Sequence, residues 1–363
     1  MNKKNQEALI KSIFRNFPFN LIRTTKSMFR MAREDKNALP YKLIFESSTI
    51  CNLKCTTCCQ NYMKRKKGHL KFEVFKKIYD EVKPPYLNLT GFGEPLLNPD
   101  LFKIIKYARK KGSFVKVDTN GMLLTKENAE KLLDTGIDIV SNSIDGMDKK
   151  TYESIRIGAN FERVIENLKN FVKMRNERKS KTEIHIYLVL QKKNFRQFLD
   201  FIKFGDSIGV DSVSGCFIKY EGWNKNRDVS MEKLNKKELE KFAEDLKKLS
   251  KETKAHVEID DIMESINSTG KKGKRDWAKE PCYKPWYSPF ITWDGIVSPC
   301  CSGGMDKTIT FGDATKENFN DIWNSKRVQA FRKMVMVKRV GVCAECDCGE
   351  AYLKEQFEKI PFL

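Results

Sequence analysis

Between Leu43 and Cys216 the chain alternates short β-type runs with longer helical ones, and this alternation constrains the fold more than any other feature. The β-type runs are Leu43 to Phe45, Leu87 to Thr90, Phe114 to Val117, Ile137 to Val140, Ile184 to Leu190 and Val210 to Val213. Amphipathic stretches such as Leu101 to Lys110, Lys126 to Leu133, Phe161 to Met174 and Phe195 to Ser207 lie between them. Six βα units in sequence predict a parallel sheet with right-handed crossovers, because a parallel neighbour is reached only across the face of the sheet. The expected fold is α/β, a partial (β/α)6 TIM-like barrel closing wholly or in part. Its chemistry belongs at the carboxyl ends of the strands.

The first strand end carries Ser47-Ser48-Thr49-Ile50-Cys51-Asn52-Leu53-Lys54-Cys55-Thr56-Thr57-Cys58, three thiols on one short loop. Three thiolates hold three corners of a four-iron four-sulfur cluster and leave one iron open to a non-protein ligand. Zinc prefers a closed fourfold site, and the local fourth thiol, Cys59, is too close to Cys58 in sequence for both to bind comfortably. The second strand ends in Thr90-Gly91-Phe92-Gly93-Glu94-Pro95, the third in Val117-Asp118-Thr119-Asn120-Gly121 and the fourth in Ser141-Asn142-Ser143-Ile144-Asp145-Gly146.

With these four turns in this order, the chain resembles the radical S-adenosylmethionine (radical SAM) superfamily over roughly residues 43 to 215. The resemblance implies a [4Fe-4S] cluster on Cys51, Cys55 and Cys58, with SAM on the open iron. It further implies that Gly91, Gly93, Glu94 and Pro95 form the turn that meets the SAM amino group. Asn120, Ser143 and Asp145 line the rest of the SAM site by the same resemblance, and the glycines permit close backbone approach. Phe92 between the glycines departs from the family's commonest form. Arg156 is either a partner for the SAM carboxylate through its planar fork or an ordinary surface arginine. Leu188-Val189-Leu190-Gln191 on the fifth strand offers no glycine-rich adenine motif.

A second group of cysteines opens at Cys282 and continues through Cys300 to Cys343 and Cys346. Ile291-Thr292-Trp293-Asp294-Gly295-Ile296-Val297 reads as a hairpin with an Asp-Gly turn that brings Cys282 and Cys300 together. This region resembles SPASM and the shorter Twitch domains. It implies one auxiliary [4Fe-4S] cluster closed by Cys282, Cys300, Cys343 and Cys346, with Cys348 as a possible substitute for one of the last two. Phe311-Gly312-Asp313 and Asp321-Ile322-Trp323 match the segment between the cysteine pairs, and structural zinc is the competing use of such thiols.

The domain reading follows: a basic amphipathic helical extension over 1–40, the barrel over 41–265, the small cysteine-rich SPASM/Twitch-like domain over 276–350 and a tail over 351–363. No apolar run reaches 18 residues and no signal-peptide core follows the basic start, which points to the cytoplasm. Eleven cysteines are odd in number and clustered, so metal ligation is expected rather than a disulfide framework. A net charge of +20 favours anionic partners, although scattered lysines also make a solvated surface. The N-terminal helices could pack on the enzyme or lie on an anionic membrane.

The resemblance implies hydrogen-atom abstraction from an unactivated C–H bond by a 5′-deoxyadenosyl radical. The auxiliary cluster would accept an electron, and a flavodoxin or ferredoxin would supply one. The favoured substrate is small and anionic, sugar-like or lipid-linked. A peptide or protein maturase is the alternative, and a non-enzymatic zinc and nucleic-acid binding protein is the remote one. Nucleic acid is not expected as a partner, and no residue stands out as general base.

Overall fold

The computed structural model describes residues 39–218, 235–268, 282, 284–344 and 346. The basic N-terminal segment, the linker Lys271 to Arg275, the C-terminal tail and Cys348 lie outside them. Seven parallel strands run in sequence order: β1 (Lys42–Glu46), β2 (Tyr86–Thr90), β3 (Phe114–Thr119), β4 (Ile139–Ser143), β5 (Glu183–Leu190), β6 (Ser212–Phe217) and β7 (His256–Glu258). The intervening helices are α1 (Phe72–Val82), α2 (Leu101–Lys110), α3 (Lys126–Asp134), α4 (Lys149–Ile155), α5 (Phe161–Glu177), α6 (Phe198–Ile208) and α7 (Lys236–Glu252), with α8 (Asp260–Ser268) following β7. Because each strand pairs with its predecessor in sequence, right-handed crossovers put the helices on one face of the sheet.

Local chemistry sets the boundaries. Thr125, Asp148 and Asn160 cap α3, α4 and α5 by accepting the backbone N–H groups of Asn128, Thr151 and Arg163. Gly209, at φ +82°, ends α6 in the left-handed conformation that a helix C-terminus favours. The sheet face toward the helices is apolar and buried, with Leu43, Phe45, Leu87, Leu89, Val115, Val117, Ile184, Ile186 and Leu188. The opposite face is polar, which is the alternation of a half-buried strand.

Two expectations are adjusted. β4 and β6 begin two residues later than the apolar runs suggest and carry polar residues to the strand ends, Ser141 to Ser143 and Ser214 to Cys216. The barrel is partial, as expected, with β7 at one edge of the sheet and the C-terminal region at the other, and it has a seventh parallel strand. The short strand β7 was hidden because His-Val-Glu carries no apolar run.

The C-terminal region does not form a detached layer. β8 (Phe290–Ile291) adds to the first strand in parallel register, pairing Phe290 with Ile44 and Ile291 with Phe45. A tight turn with Gly295 at φ +86° leads to antiparallel β9 (Ile296–Ser298), followed by β10 (Gly312–Asp313). The expected hairpin is present, and it extends the core sheet. Four further helices, α9 (Lys284–Tyr287), α10 (Cys301–Gly304), α11 (Phe319–Trp323) and α12 (Lys326–Val337), complete the small domain.

Candidate functional site

The first cysteine loop begins where β1 ends. Lys54 N–H donates to the Ile157 carbonyl at 2.9 Å and Thr56 N–H to the Ile155 carbonyl at 2.8 Å, so the loop rests on the turn that carries Arg156. Within it, Leu53 N–H points to the Cys51 sulfur at 3.4 Å and Gln60 N–H to the Cys58 sulfur at 3.4 Å. The three thiols lie near enough to feel one another's charge. Burial pushes Cys51 up and Cys55 up to about 11, the latter against the pull of Arg156. A hydrogen bond from Cys59 is the main cause holding Cys58 down to about 7, so Cys59 acts as a neighbour of the site.

The glycine turn has a structural reason before any ligand arrives. A Cβ on Gly93 would lie 2.5 Å from the Ile50 carbonyl oxygen and 2.6 Å from that of Ser48; one on Gly91 would lie 2.7 Å from Glu46 Cγ. The glycines let the second strand end nest against the cysteine loop. Glu94 is fully buried, and its oxygens accept Thr119 Oγ1 at 2.7 Å, Leu96 N–H at 3.1 Å and Asn120 N–H at 2.8 Å. Burial raises its carboxyl pKa. Pro95 opens the short 3-10 turn behind it. Phe92, the unusual residue, packs on Phe290 of β8 with ring centroids 5.6 Å apart.

The other predicted SAM residues converge on the same edge. Asn120 donates to Asn52 Oδ1 at 2.9 Å and lies 3.8 Å from the Cys51 sulfur. Ser143, half-buried, closes β4. Asp145 accepts Val189 N–H at 2.9 Å and Arg156 Nε at 2.8 Å. Arg156 is only 8% exposed, which removes the surface-arginine reading. Both carboxylates thus knit strand ends together, while the Gly91–Gly93 backbone, Asn120 and Ser143 shape the edge.

Cys282, Cys300, Cys343 and Cys346 line one cavity together with Lys284 and Arg339. The four expected ligands therefore meet, and two cations join them. Cys282 N–H is anchored on the Val335 carbonyl at 3.1 Å, and Arg339, buried, donates to the Cys346 carbonyl at 3.3 Å. Burial raises Cys300 strongly and Cys343 up to about 11, with Lys284 opposing at Cys300 and Arg339 at Cys343. Four thiols around one cavity with compensating cations fit a closed, anionic iron–sulfur cluster.

The two sites are tied by groups that sequence reading passed over. Arg65, seven residues past Cys58, reaches back to Glu46 at 2.5 Å, and Trp293 N–H of the hairpin donates to the same carboxylate at 3.2 Å. Lys64 N–H donates to Asp306 at 2.9 Å and Lys77 Nζ to the Thr315 carbonyl at 2.7 Å. On the polar sheet face stand the pair Lys116–Asp118 at 3.0 Å, His185–Glu183 at 3.0 Å, and Tyr187 hydrogen-bonded to Cys216. The signal for these was the polar/apolar alternation within Phe114–Thr119 and Glu183–Leu190, which marks a second lined face rather than plain apolar strands.

An open parallel sheet with a three-thiol loop at its first strand end and a four-thiol cavity on its flank defines a two-cluster, SAM-dependent enzyme. Comparison with known families agrees: the radical SAM superfamily matches residues 45–204 and an iron–sulfur cluster-binding domain, SPASM, matches residues 282–347. The chain carries a radical SAM domain over residues 45–204 and a C-terminal SPASM domain over residues 282–347. Its cofactors are accordingly [4Fe-4S] clusters and SAM, which sets structural zinc aside. Among its relatives, a tungsten-containing aldehyde ferredoxin oxidoreductase cofactor-modifying protein of Pyrococcus furiosus is 25% identical over 346 residues, covering 85% of this chain and 88% of that one. The mycofactocin maturase of Mycobacterium tuberculosis is 30% identical over 174 residues, 47% of this chain and 43% of that protein. The fold is that of Streptococcus suis SuiB, solved with its precursor peptide SuiA: TM-score 0.66 at 18% identity, covering 95% of this chain and 79% of that one.

Proposed function

We propose that this chain is a radical SAM maturase that oxidatively modifies a peptide or protein substrate. The observation that carries the reading is the union of the two cysteine sites in one sheet through the pairing of β8 with β1. A bound first cluster supplies the electron that cleaves SAM to a hydrogen-abstracting 5′-deoxyadenosyl radical. Around it, Gly91, Gly93 and Asn120 shape the SAM edge, Arg156 and Asp145 brace it, and Cys282, Cys300, Cys343 and Cys346 hold the electron acceptor. The polar face with Lys116, Asp118, His185 and Tyr187 is where a substrate would lie and where a general base would be found.

The maturase relative supports a peptide substrate better than the small anionic, sugar-like or lipid-linked one that the charge suggests. A small-molecule reading stays as the second, because the cofactor-modifying relative aligns with 85% of this chain whereas the maturase aligns with 47%. The structure has no helix among the described residues long and apolar enough to cross a membrane; a cytoplasmic enzyme is the proposed setting.

The test is anaerobic incubation of the reconstituted enzyme with SAM, reductant and a short peptide encoded beside its gene, followed by mass spectrometry. Loss of two hydrogens from the peptide, with deuterium passing from labelled peptide into 5′-deoxyadenosine, is the expected result. Unmodified peptide alongside modified small anionic, sugar-like or lipid-linked candidates would select the second reading.

A further inference from the structure

The polar face of the sheet contains a buried acceptor that lacks a donor. Asn88, in the middle of β2, shares this face with Lys116, its register partner on β3. It is only 7% exposed, and its amide oxygen has no hydrogen-bond partner among the described residues. Its amide nitrogen donates to the Asp118 carboxylate, which pairs with Lys116 at 3.0 Å. An ionised carboxylate only accepts, so the amide keeps its NH2 end on Asp118 and its oxygen stays the free end. Leaving a buried acceptor without a donor costs about 1–3 kcal/mol, which a ligand supplying an N–H would recover.

Around this acceptor the charge is negative, although the whole chain carries +20. From the far edge of the sheet Glu258 of β7 acts on the charge of Lys116. Removal from water first, and then the charges of Asp261 and Asp260 at the start of α8, hold the Glu258 carboxyl up. Glu258 and Asp261 also reach Tyr187 of β5. The cations on this face are Lys116 and Lys42, which lies over the Tyr86 ring at 5.2 Å, while His185 is paired with Glu183. Two lysines thus stand against Asp118, Glu258, Asp260 and Asp261, a balance that attracts a further cation and repels an anion.

Resting on the proposed function, we propose that the Asn88 amide oxygen, with Asp118 and Glu258 nearby, seats the cationic head of a lysine or arginine side chain of the peptide substrate. An ammonium or guanidinium group only donates, so it meets the free acceptor where a carboxylate or phosphate would oppose it. Two strand residues, about 7 Å, separate Asn88 from Thr90 at the end of β2. A head group seated at Asn88 therefore leaves the methylenes of its stem toward the strand ends, where the first cysteine loop stands. The acidic interior, and not the basic net charge, selects the side chain that enters.

The experiment is anaerobic equilibrium dialysis of the reconstituted, unreduced holoenzyme with SAM against three labelled probes: Ac-Gly-Lys-Gly-NH2, Ac-Gly-Gln-Gly-NH2 and Ac-Gly-Glu-Gly-NH2. The lysine probe should bind about tenfold more tightly than the glutamine probe, and the glutamate probe more weakly than either. Asn88→Leu removes the free acceptor and Glu258→Gln removes a charge at the open edge. Each should abolish most of the lysine preference with iron per chain unchanged. If Asn88→Leu does not hold iron, Glu258→Gln decides. Tripeptides bound equally whatever their central residue, or a lysine preference untouched by both variants, overturn the proposal and leave the maturase reading in place. Binding of n-butylammonium that depends on Asn88 and Glu258, with no tripeptide bound, keeps the cation seat and overturns the peptide reading instead. Binding of neither the lysine probe nor n-butylammonium overturns the seat itself.

Discussion

Replacing Arg65 by Met tests the junction between the two sites. Arg65 is 7% exposed and Glu46 is fully buried, so their pair is shielded from solvent, and Glu46 keeps only Trp293 N–H once the guanidinium is gone. Removing one partner of a buried pair costs about 3–5 kcal/mol. Protonation caps the loss. A carboxyl of ordinary pKa 4.5 forced neutral at pH 7.5 pays for three units at about 1.4 kcal/mol each, roughly 4 kcal/mol.

The pH dependence has a definite sign. Burial already raises Glu46 in the native protein, and losing Arg65 raises it further. A raised acid penalises folding above its folded pKa, and the penalty fades as pH falls toward the unfolded value. Anaerobic urea unfolding of the loaded protein should show Arg65→Met about 3 kcal/mol less stable at pH 7.5 and within about 1.5 kcal/mol at pH 5.5. Adding Glu46→Gln should recover much of the difference at pH 7.5. A loss below about 1 kcal/mol at pH 7.5, the size of an exposed pair, or equal losses at both pH values would refute the reasoning.

Gly93→Ala should abolish loading of the first cluster while leaving the second, read as iron per chain, because its methyl group would meet the Ser48 and Ile50 carbonyls. Arg339→Gln should lower the midpoint potential of the auxiliary cluster in an EPR-monitored titration, since a buried cation stabilises the reduced, more negative cluster. Cluster assembly should improve as pH rises from 6.5 to 8.5: Cys55 and Cys343, both pushed up to about 11, keep their protons at neutral pH, and iron must displace them. Iron uptake that is flat across that range would contradict the assigned burial of those thiols.

What the sequence disclosed and what it hid differ in kind. The βα order, the cysteine triplet and the four strand-end turns are local patterns, and the structure sets Gly91 to Glu94, Asn120, Ser143 and Asp145 along one edge. The four C-terminal thiols were also legible, although 42 residues lie between Cys300 and Cys343. Groups whose partners are remote escaped notice. Glu46 meets Arg65 from a loop and Trp293 from another domain, and no spacing announces either. Arg156 stayed open between a partner for the SAM carboxylate and a surface arginine, because its burial depends on the cysteine loop folding over Ile155 and Ile157. Lys284 and Arg339 carry no motif, being ordinary cations until the four thiols surround them.

Iron and SAM turnover together test the central claim. Anaerobically reconstituted wild-type protein should hold about eight irons per chain and cleave SAM to 5′-deoxyadenosine when reduced. The Cys51→Ala/Cys55→Ala/Cys58→Ala variant should hold about four and make none. Wild type that binds only about four irons, or a triple variant that still forms 5′-deoxyadenosine, would contradict the two-cluster account.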